Sequence, residues 1–281
     1  MALVGTGELI ARATATGQAA VAFNVITLEH AEAIVTGAER AGTGVILQLS
    51  ENAVRFHGGR YRPVLSACGA LAAESSAAVA LHLDHVESVT LARSVIADAR
   101  SLGVGSLMVD ASQHSYRANV KLTAQLARSA HAAELWVEAE LGRVGGKDGA
   151  HAPGVRTDPS EAVAFVASTA VDALAVAVGS SHAMSSRSAV LDNDLIARLA
   201  AAVPVPLVLH GSSGVPDAAL LEAVGAGIRK VNVGTALNVA GTAALRSALA
   251  AQPDAVDPRT PIAAARDAMA DVVAHLLALL S

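Results

Sequence analysis

The stretch Pro206-Leu207-Val208-Leu209-His210-Gly211-Ser212-Ser213-Gly214-Val215 decides how the chain reads. Pro206–Leu209 is a short apolar run of the kind that forms a buried strand. It delivers His210 directly into Gly-Ser-Ser-Gly, where small residues would let a ligand's phosphate approach the backbone. The same form occurs twice earlier. Val79–Leu83 runs into Asp84-His85, and Ala173–Val178 runs into Gly179-Ser180-Ser181-His182. Three histidines, each just beyond a strand-length apolar run, make a candidate metal site.

Working outward, strand-length apolar runs alternate with longer helical segments along the whole chain. The expected strands are Ala19–Val25, Val45–Leu49, Val79–Leu83, Ser106–Val109, Glu134–Ala139, Ala173–Val178, Pro206–Leu209 and Ile228–Val233. The expected helices between them are Leu28–Ala41, Arg62–Glu74, Ser88–Leu102, Tyr116–Ala133, Pro159–Ser168, Asp192–Ala202 and Asp217–Val224. Thr235–Ala250 and Ile262–Leu280 close the chain with helices, and Ser50-Glu51-Asn52 through His57-Gly58-Gly59 reads as a loop. Ser88 is placed to cap its helix. The strands are nearly continuous apolar runs, as in a parallel sheet covered on both faces. Eight strand–helix pairs in 281 residues give the expectation of an α/β fold. It is a single-domain (β/α)8 TIM barrel over residues 1–281 with a C-terminal helical extension. An open doubly wound sheet would want a glycine-rich turn after the first strand, and that strand ends in Asn24-Val25-Ile26-Thr27.

Composition narrows the function. The net charge is −5, and Lys121, Lys147 and Lys230 are scattered. No basic patch exists for nucleic acid. One cysteine, Cys68, excludes a disulfide framework and fits a reducing compartment. Met1–Ile10 lacks the basic start and apolar core of a signal peptide. The apolar run Val272–Leu280 is too short to span a bilayer. The expectation is a soluble cytoplasmic protein.

In a (β/α)8 barrel, active sites form at the C-terminal ends of the strands. Asn24, Gln48, Ser50, Asp84, His85, Asp110, Glu140, His182, His210 and Asn232 all fall there. Three imidazoles with positions left open would hold Zn2+ or a similar metal catalytically. Asp84 is either a helix cap or a general acid/base beside that metal. Asp110 and Glu140 are either partners that fix the histidine rings or ligands of an alternative metal position. Gly211-Ser212-Ser213-Gly214 and Asn232-Val233-Gly234-Thr235 are either phosphate sites or ordinary tight turns. His82 reads as structural, while His30, His114, His131, His151 and His275 read as surface or core residues.

Taken together the motifs resemble class II (metal-dependent) fructose-bisphosphate/tagatose-bisphosphate aldolases. The match runs from Ala22-Phe23-Asn24 to Asn232-Val233-Gly234-Thr235. It includes Ile46-Leu47-Gln48-Leu49-Ser50-Glu51, His82-Leu83-Asp84-His85, Met108-Val109-Asp110-Ala111-Ser112, Glu138-Ala139-Glu140-Leu141-Gly142 and Leu209-His210-Gly211-Ser212-Ser213-Gly214. The shorter chain looks like the tagatose-bisphosphate type. The resemblance implies Zn2+ held by His85, His182 and His210, acting as Lewis acid on the carbonyl of dihydroxyacetone phosphate. It implies Asp84 and Asn232 as catalytic groups and Asp148 as the group that moves the carbon-bound proton. Asn24, Ser50, Ala183, Gly211, Ser212, Ser213, Gly234 and Thr235 would bind the substrate and its phosphate, with a monovalent cation (Na+ or K+) nearby. It further implies a homodimer or homotetramer and a place in glycolytic carbohydrate metabolism. A Schiff-base route is disfavoured, because Lys230 begins its strand instead of ending it.

The sequence departs from the family pattern at several places. Asp148 stands for the usual glutamate, Ala183 and Ser212 for glycines, and Ala236 for an acidic residue. A lysine common after His182 is missing, with Arg187 as its candidate replacement. A related metal-dependent aldolase or lyase with another phosphorylated substrate, or a retired sugar-phosphate-binding paralogue, are the competing readings.

Overall fold

The computed structural model describes residues 3–141, 156–180 and 187–281. The chain begins with helix α1 (Thr6–Ala15). Strands and helices then alternate as β1 (Ala20–Asn24), α2 (Leu28–Ala41), β2 (Val45–Ser50), α3 (Glu51–Phe56), α4 (Tyr61–Glu74), β3 (Val79–Val86) and α5 (Val89–Leu102). They continue as β4 (Val104–Val109), α6 (Tyr116–His131), β5 (Trp136–Glu140), α7 (Pro159–Thr169), β6 (Ala173–Ala175), α8 (Asn193–Ala202), β7 (Leu207–Leu209), α9 (Asp217–Ala226) and β8 (Ile228–Val233). Helices α10 (Thr235–Ala251) and α11 (Arg259–Leu280) follow, and a 3-10 turn at Ser212–Gly214 lies between β7 and α9. The eight strands form a closed parallel barrel in chain order, and β1 pairs with β8 through Ala22↔Asn232. This is the expected (β/α)8 barrel, with α11 as its C-terminal extension. No helix among the described residues is long and apolar enough to cross a membrane.

Each strand is buried along almost its whole length. One set of side chains packs outward against the helices and the other fills the barrel, so no polar alternation survives in the sequence. Small residues set the spacing. Gly37 of α2 lies so close to α11 that a Cβ there would sit 2.6 Å from the Val273 side chain.

Three features differ from the sequence expectation. Helix α1 was not anticipated, because Gly5 and Gly7 make its start read as a loop. It closes the N-terminal end of the barrel: Leu9 and Ile10 pack on Ala20, Ala22, Ile46 and Ala80, and Thr6 Oγ1 meets Ser106 Oγ at 2.5 Å. Gly7 is needed there, since a Cβ would lie 3.0 Å from the Trp136 ring. The expected loop at Ser50–Asn52 is a short helix, whose first turn Ser50 caps by accepting from Ala53 N at 3.2 Å. Strand β3 runs three residues past its expected end, to Val86, whereas β6 stops early at Ala175.

Adding a methyl at Gly37 forces α2 and α11 apart. Gly37→Ala is expected to lower unfolding free energy by about 1–3 kcal/mol despite alanine's better helix propensity, read by chemical denaturation; an unchanged midpoint would contradict this packing.

Candidate active site

The barrel brings strand ends together at one rim, and a bulge in β3 aims the central histidine into it. Leu83 pairs with Leu107 and Val86 with Val109, so Asp84 and His85 together oppose a single residue of β4. His85 absorbs the extra length with φ +47, in the left-handed region that non-glycine residues rarely adopt. Its ring thereby meets that of His210, with centroids 4.8 Å apart and planes tilted by 67°. His210 follows β7 directly and is fully buried.

Each ring has one nitrogen fixed. His85 Nδ1 lies 2.7 Å from Asp110 Oδ2, and Asp110 is itself held by Ser112 through N (3.1 Å) and Oγ (2.7 Å). His210 Nε2 lies 2.9 Å from Glu138 Oε1 inside the barrel, which leaves Nδ1 3.6 Å from Glu140 Oε2. Potential ligand atoms of Asp84, His85 and His210 lie within 4.8 Å of one another, and so do those of His85, Asp110 and Glu140. Burial alone disfavours a charged His85 ring, yet Asp84, Asp110 and Glu140 outweigh it and push the ring up to about 10. Burial likewise opposes ionised Asp110, but the His85 and Ser112 bonds hold it well below the usual carboxylate range. Such a carboxylate-rich cluster calls for positive charge, and its mixed imidazole and carboxylate donors suit a divalent metal of the zinc kind. The residues present therefore fit a metal.

Asp84 is buried between two amides. Gln48 Nε2 donates to Oδ2 at 3.4 Å and Asn232 Nδ2 to Oδ1 at 3.3 Å. Burial raises its carboxyl above the usual range, against the opposing pull of His85 and Lys230. Gln48 also donates to Asn24, so β1, β2, β3 and β8 all contribute to one polar chain.

The glycine-rich turns are ordered by their own hydroxyls. Gly211 takes φ +66, which a side chain would strain. Ser212 is buried and donates to the Asn232 carbonyl, while Ser213 Oγ accepts from Ala236 N at 3.1 Å. Gly234 and Thr235 open α10, and a Cβ on Gly234 would come within 3.1 Å of Asn24. Serine is thus accommodated where the family carries glycine, with its hydroxyl turned onto backbone. Arg187 does not stand free: it donates to Val215 O (3.0 and 2.9 Å) and pairs with Asp217. His182, Ala183 and Asp148 lie outside the described residues.

Sequence reasoning gave no role to Glu138, Glu51 or Asn119. Asn119 of α6 donates to the carbonyls of Glu140 (3.1 Å) and Leu141 (2.8 Å), fixing the end of β5. Glu51 Oε2 accepts from Glu87 N (2.8 Å) and Ser88 N (2.9 Å), just past His85. A glutamate immediately after a strand-end serine was the available signal. His82, read as structural, faces inward and meets Ser106 Oγ at 2.8 Å.

A closed (β/α)8 barrel with paired imidazoles and carboxylates at its C-terminal rim is the architecture of an enzyme with a metal-type site, and comparison with known proteins narrows this. The sequence model described as fructose-bisphosphate aldolase class-II matches residues 4–281. The chain is 38% identical over 277 residues to a Bacillus subtilis (strain 168) protein named probable fructose-bisphosphate aldolase, covering 97% of this chain and 95% of that one. It is 37% identical over 273 residues to the fructose-bisphosphate aldolase of Geobacillus stearothermophilus, covering 96% and 93%. The solved YdjI aldolase from Escherichia coli K12 superposes with a TM-score of 0.84 at 30% identity, covering 99% and 97%. The chain belongs to the class-II fructose-bisphosphate aldolase family and is a metal-dependent aldolase, an aldehyde-lyase.

Glu51→Ala strands two part-buried backbone N–H groups beside the bulge. It should destabilise the fold by about 1–3 kcal/mol, with the loss visible in thermal unfolding; full stability would show that the turn after β3 does not depend on this carboxylate.

Proposed function

We propose that the protein is a Zn2+-dependent ketose-bisphosphate aldolase. It reversibly cleaves a phosphorylated ketose of the fructose- or tagatose-1,6-bisphosphate kind to dihydroxyacetone phosphate and an aldehyde. The observation that carries this reading is the meeting of His85 and His210, 4.8 Å between ring centroids, amid Asp84, Asp110 and Glu140. The class-II match over nearly the whole chain supports it.

His85 and His210, with His182, would hold the metal, and Zn2+ bound there supplies a Lewis acid for the substrate carbonyl. Asp110 orients the His85 ring. Glu140 neighbours His210 and serves either as a further partner or as a ligand of an alternative metal position. Asp84 gives its proton to the aldehyde oxygen in condensation and takes the hydroxyl proton in cleavage. Gln48 and Asn232 hold Asp84 from either side, and Asn232 Oδ1, buried with no partner among the described residues, accepts from a substrate hydroxyl. Backbone N–H groups at Gly211, Ser213, Gly234 and Thr235 receive a phosphate at the opening of α10. Ser212 shapes that turn from beneath, Asn24 and Ser50 border the substrate, and Ala183 flanks the phosphate. Asp148 moves the carbon-bound proton, and a monovalent cation sits beside the phosphate.

Chelator treatment is expected to abolish cleavage of fructose or tagatose bisphosphate, and added Zn2+ to restore it. Asp84→Asn should lower kcat by roughly 10²–10⁴-fold. Chelator-resistant cleavage together with a borohydride-trapped lysine adduct would replace this reading with a Schiff-base mechanism.

A further inference from the structure

Lys230 is the single buried lysine or arginine among the described residues, and the chemistry above does not use it. It lies inside the barrel with no exposed surface. Strand pairing sets Lys230 level with Val208, two residues before His210, so its ammonium sits beneath the rim. Asn232, two residues on in β8, occupies the same inner face at the rim, where it reaches Asp84. Desolvating a lysine costs several kcal/mol unless a partner compensates it. That partner is Glu138 of β5, equally buried, with Lys230 Nζ 2.5 Å from Oε2. The other Glu138 oxygen, Oε1, takes the His210 Nε2 contact at 2.9 Å. Each carboxylate oxygen therefore has one dedicated partner, and three fully buried groups, two from β8 and β5 and one just past β7, form a line that ends at the rim imidazole.

We propose that Lys230 is a positioning residue of the metal centre. Acting through Glu138, it fixes the His210 ring with Nε2 held inside the barrel and Nδ1 presented to the rim. This rests on the metal reading above. Without the ammonium, the carboxylate keeps one anchor and loses its countercharge, so it turns and no longer holds the ring. The lysine is not a nucleophile here, because Glu138 occupies its ammonium below the level at which substrate reaches the rim. Replacing a buried pair by neutral groups of similar volume preserves a fold better than removing one partner, and this decides the choice of variants.

The test is zinc affinity by chelator competition, and the visible spectrum after Co2+ loading, on the full-length protein with folding followed by circular dichroism. Lys230→Met is expected to weaken Zn2+ binding by about 10–100-fold and to shift the Co2+ bands. In a Glu138→Gln background, adding Lys230→Met should cause no further loss, because the lysine positions the His210 ring only through the carboxylate. If Lys230→Met alone does not fold, that comparison of Glu138→Gln with the charge-neutral double variant stands by itself: equal affinities support the inference and a further drop overturns it. A folded Lys230→Met protein with unchanged zinc affinity and Co2+ spectrum overturns it as well. Wild-type protein that binds no Zn2+ removes the metal reading itself, a result distinct from either.

Discussion

Every strand of the barrel is hydrogen-bonded on both sides, and β1 pairs with β8 as well as with β2. That closure is the constraint on which the remaining structure depends. It forces the C-terminal end of each parallel strand onto one rim, so residues distant in sequence meet without a loop to carry them. His85 and His210 come from opposite parts of the chain and still stack edge to face. Closure also creates an interior that must be filled. The lower part takes alanines and Ile46 against α1. Higher up the filling is polar, with His82, Glu138, Lys230, Asp84 and Asn232 buried in one column. Buried polar groups are tolerable when they are paired, and pairing in turn makes their positions rigid.

The rim concentrates costs that the scaffold offsets. His85 sits in a left-handed backbone conformation within a strand, and Asp84, Asp110 and Glu140 bring several carboxylates close together. Strain and like charge of this kind persist only where surrounding structure over-determines them. Here Glu51 ties down the turn beyond the bulge, Ser112 secures Asp110, and Asn119 secures the end of β5. Glu51 and Asn119 sit in the first turns of α3 and α6, which hold a site more closely than loops do, and Ser112 acts from the turn after β4.

Much of this was legible in the sequence. Continuous apolar runs of strand length, each ending in a polar residue, announce a parallel barrel and its rim together, and Ile228–Val233 and Leu28–Ala41 were located to the residue. Less legible were features that exist only through tertiary pairing. The β3 bulge has no local signature, because Asp84-His85 looks like the residues after a strand when it is in fact part of one. Glu138 was hidden for a related reason: it lies within the expected strand Glu134–Ala139, and nothing local shows that Lys230 arrives from β8 to pair with it. Helix α1 was hidden by Gly7, whose absent side chain makes room for the Trp136 ring. Lys230 was judged by its position along the strand, which correctly set it below the rim but gave no hint of its partner.

The most direct measurement is anomalous X-ray scattering at the zinc edge from crystals of the Zn2+-loaded protein. The account predicts one strong peak within coordination distance, about 2.0–2.1 Å, of both His210 Nδ1 and His85 Nε2. A peak away from these two rings, or crystals of loaded protein with no peak at the rim, would contradict it.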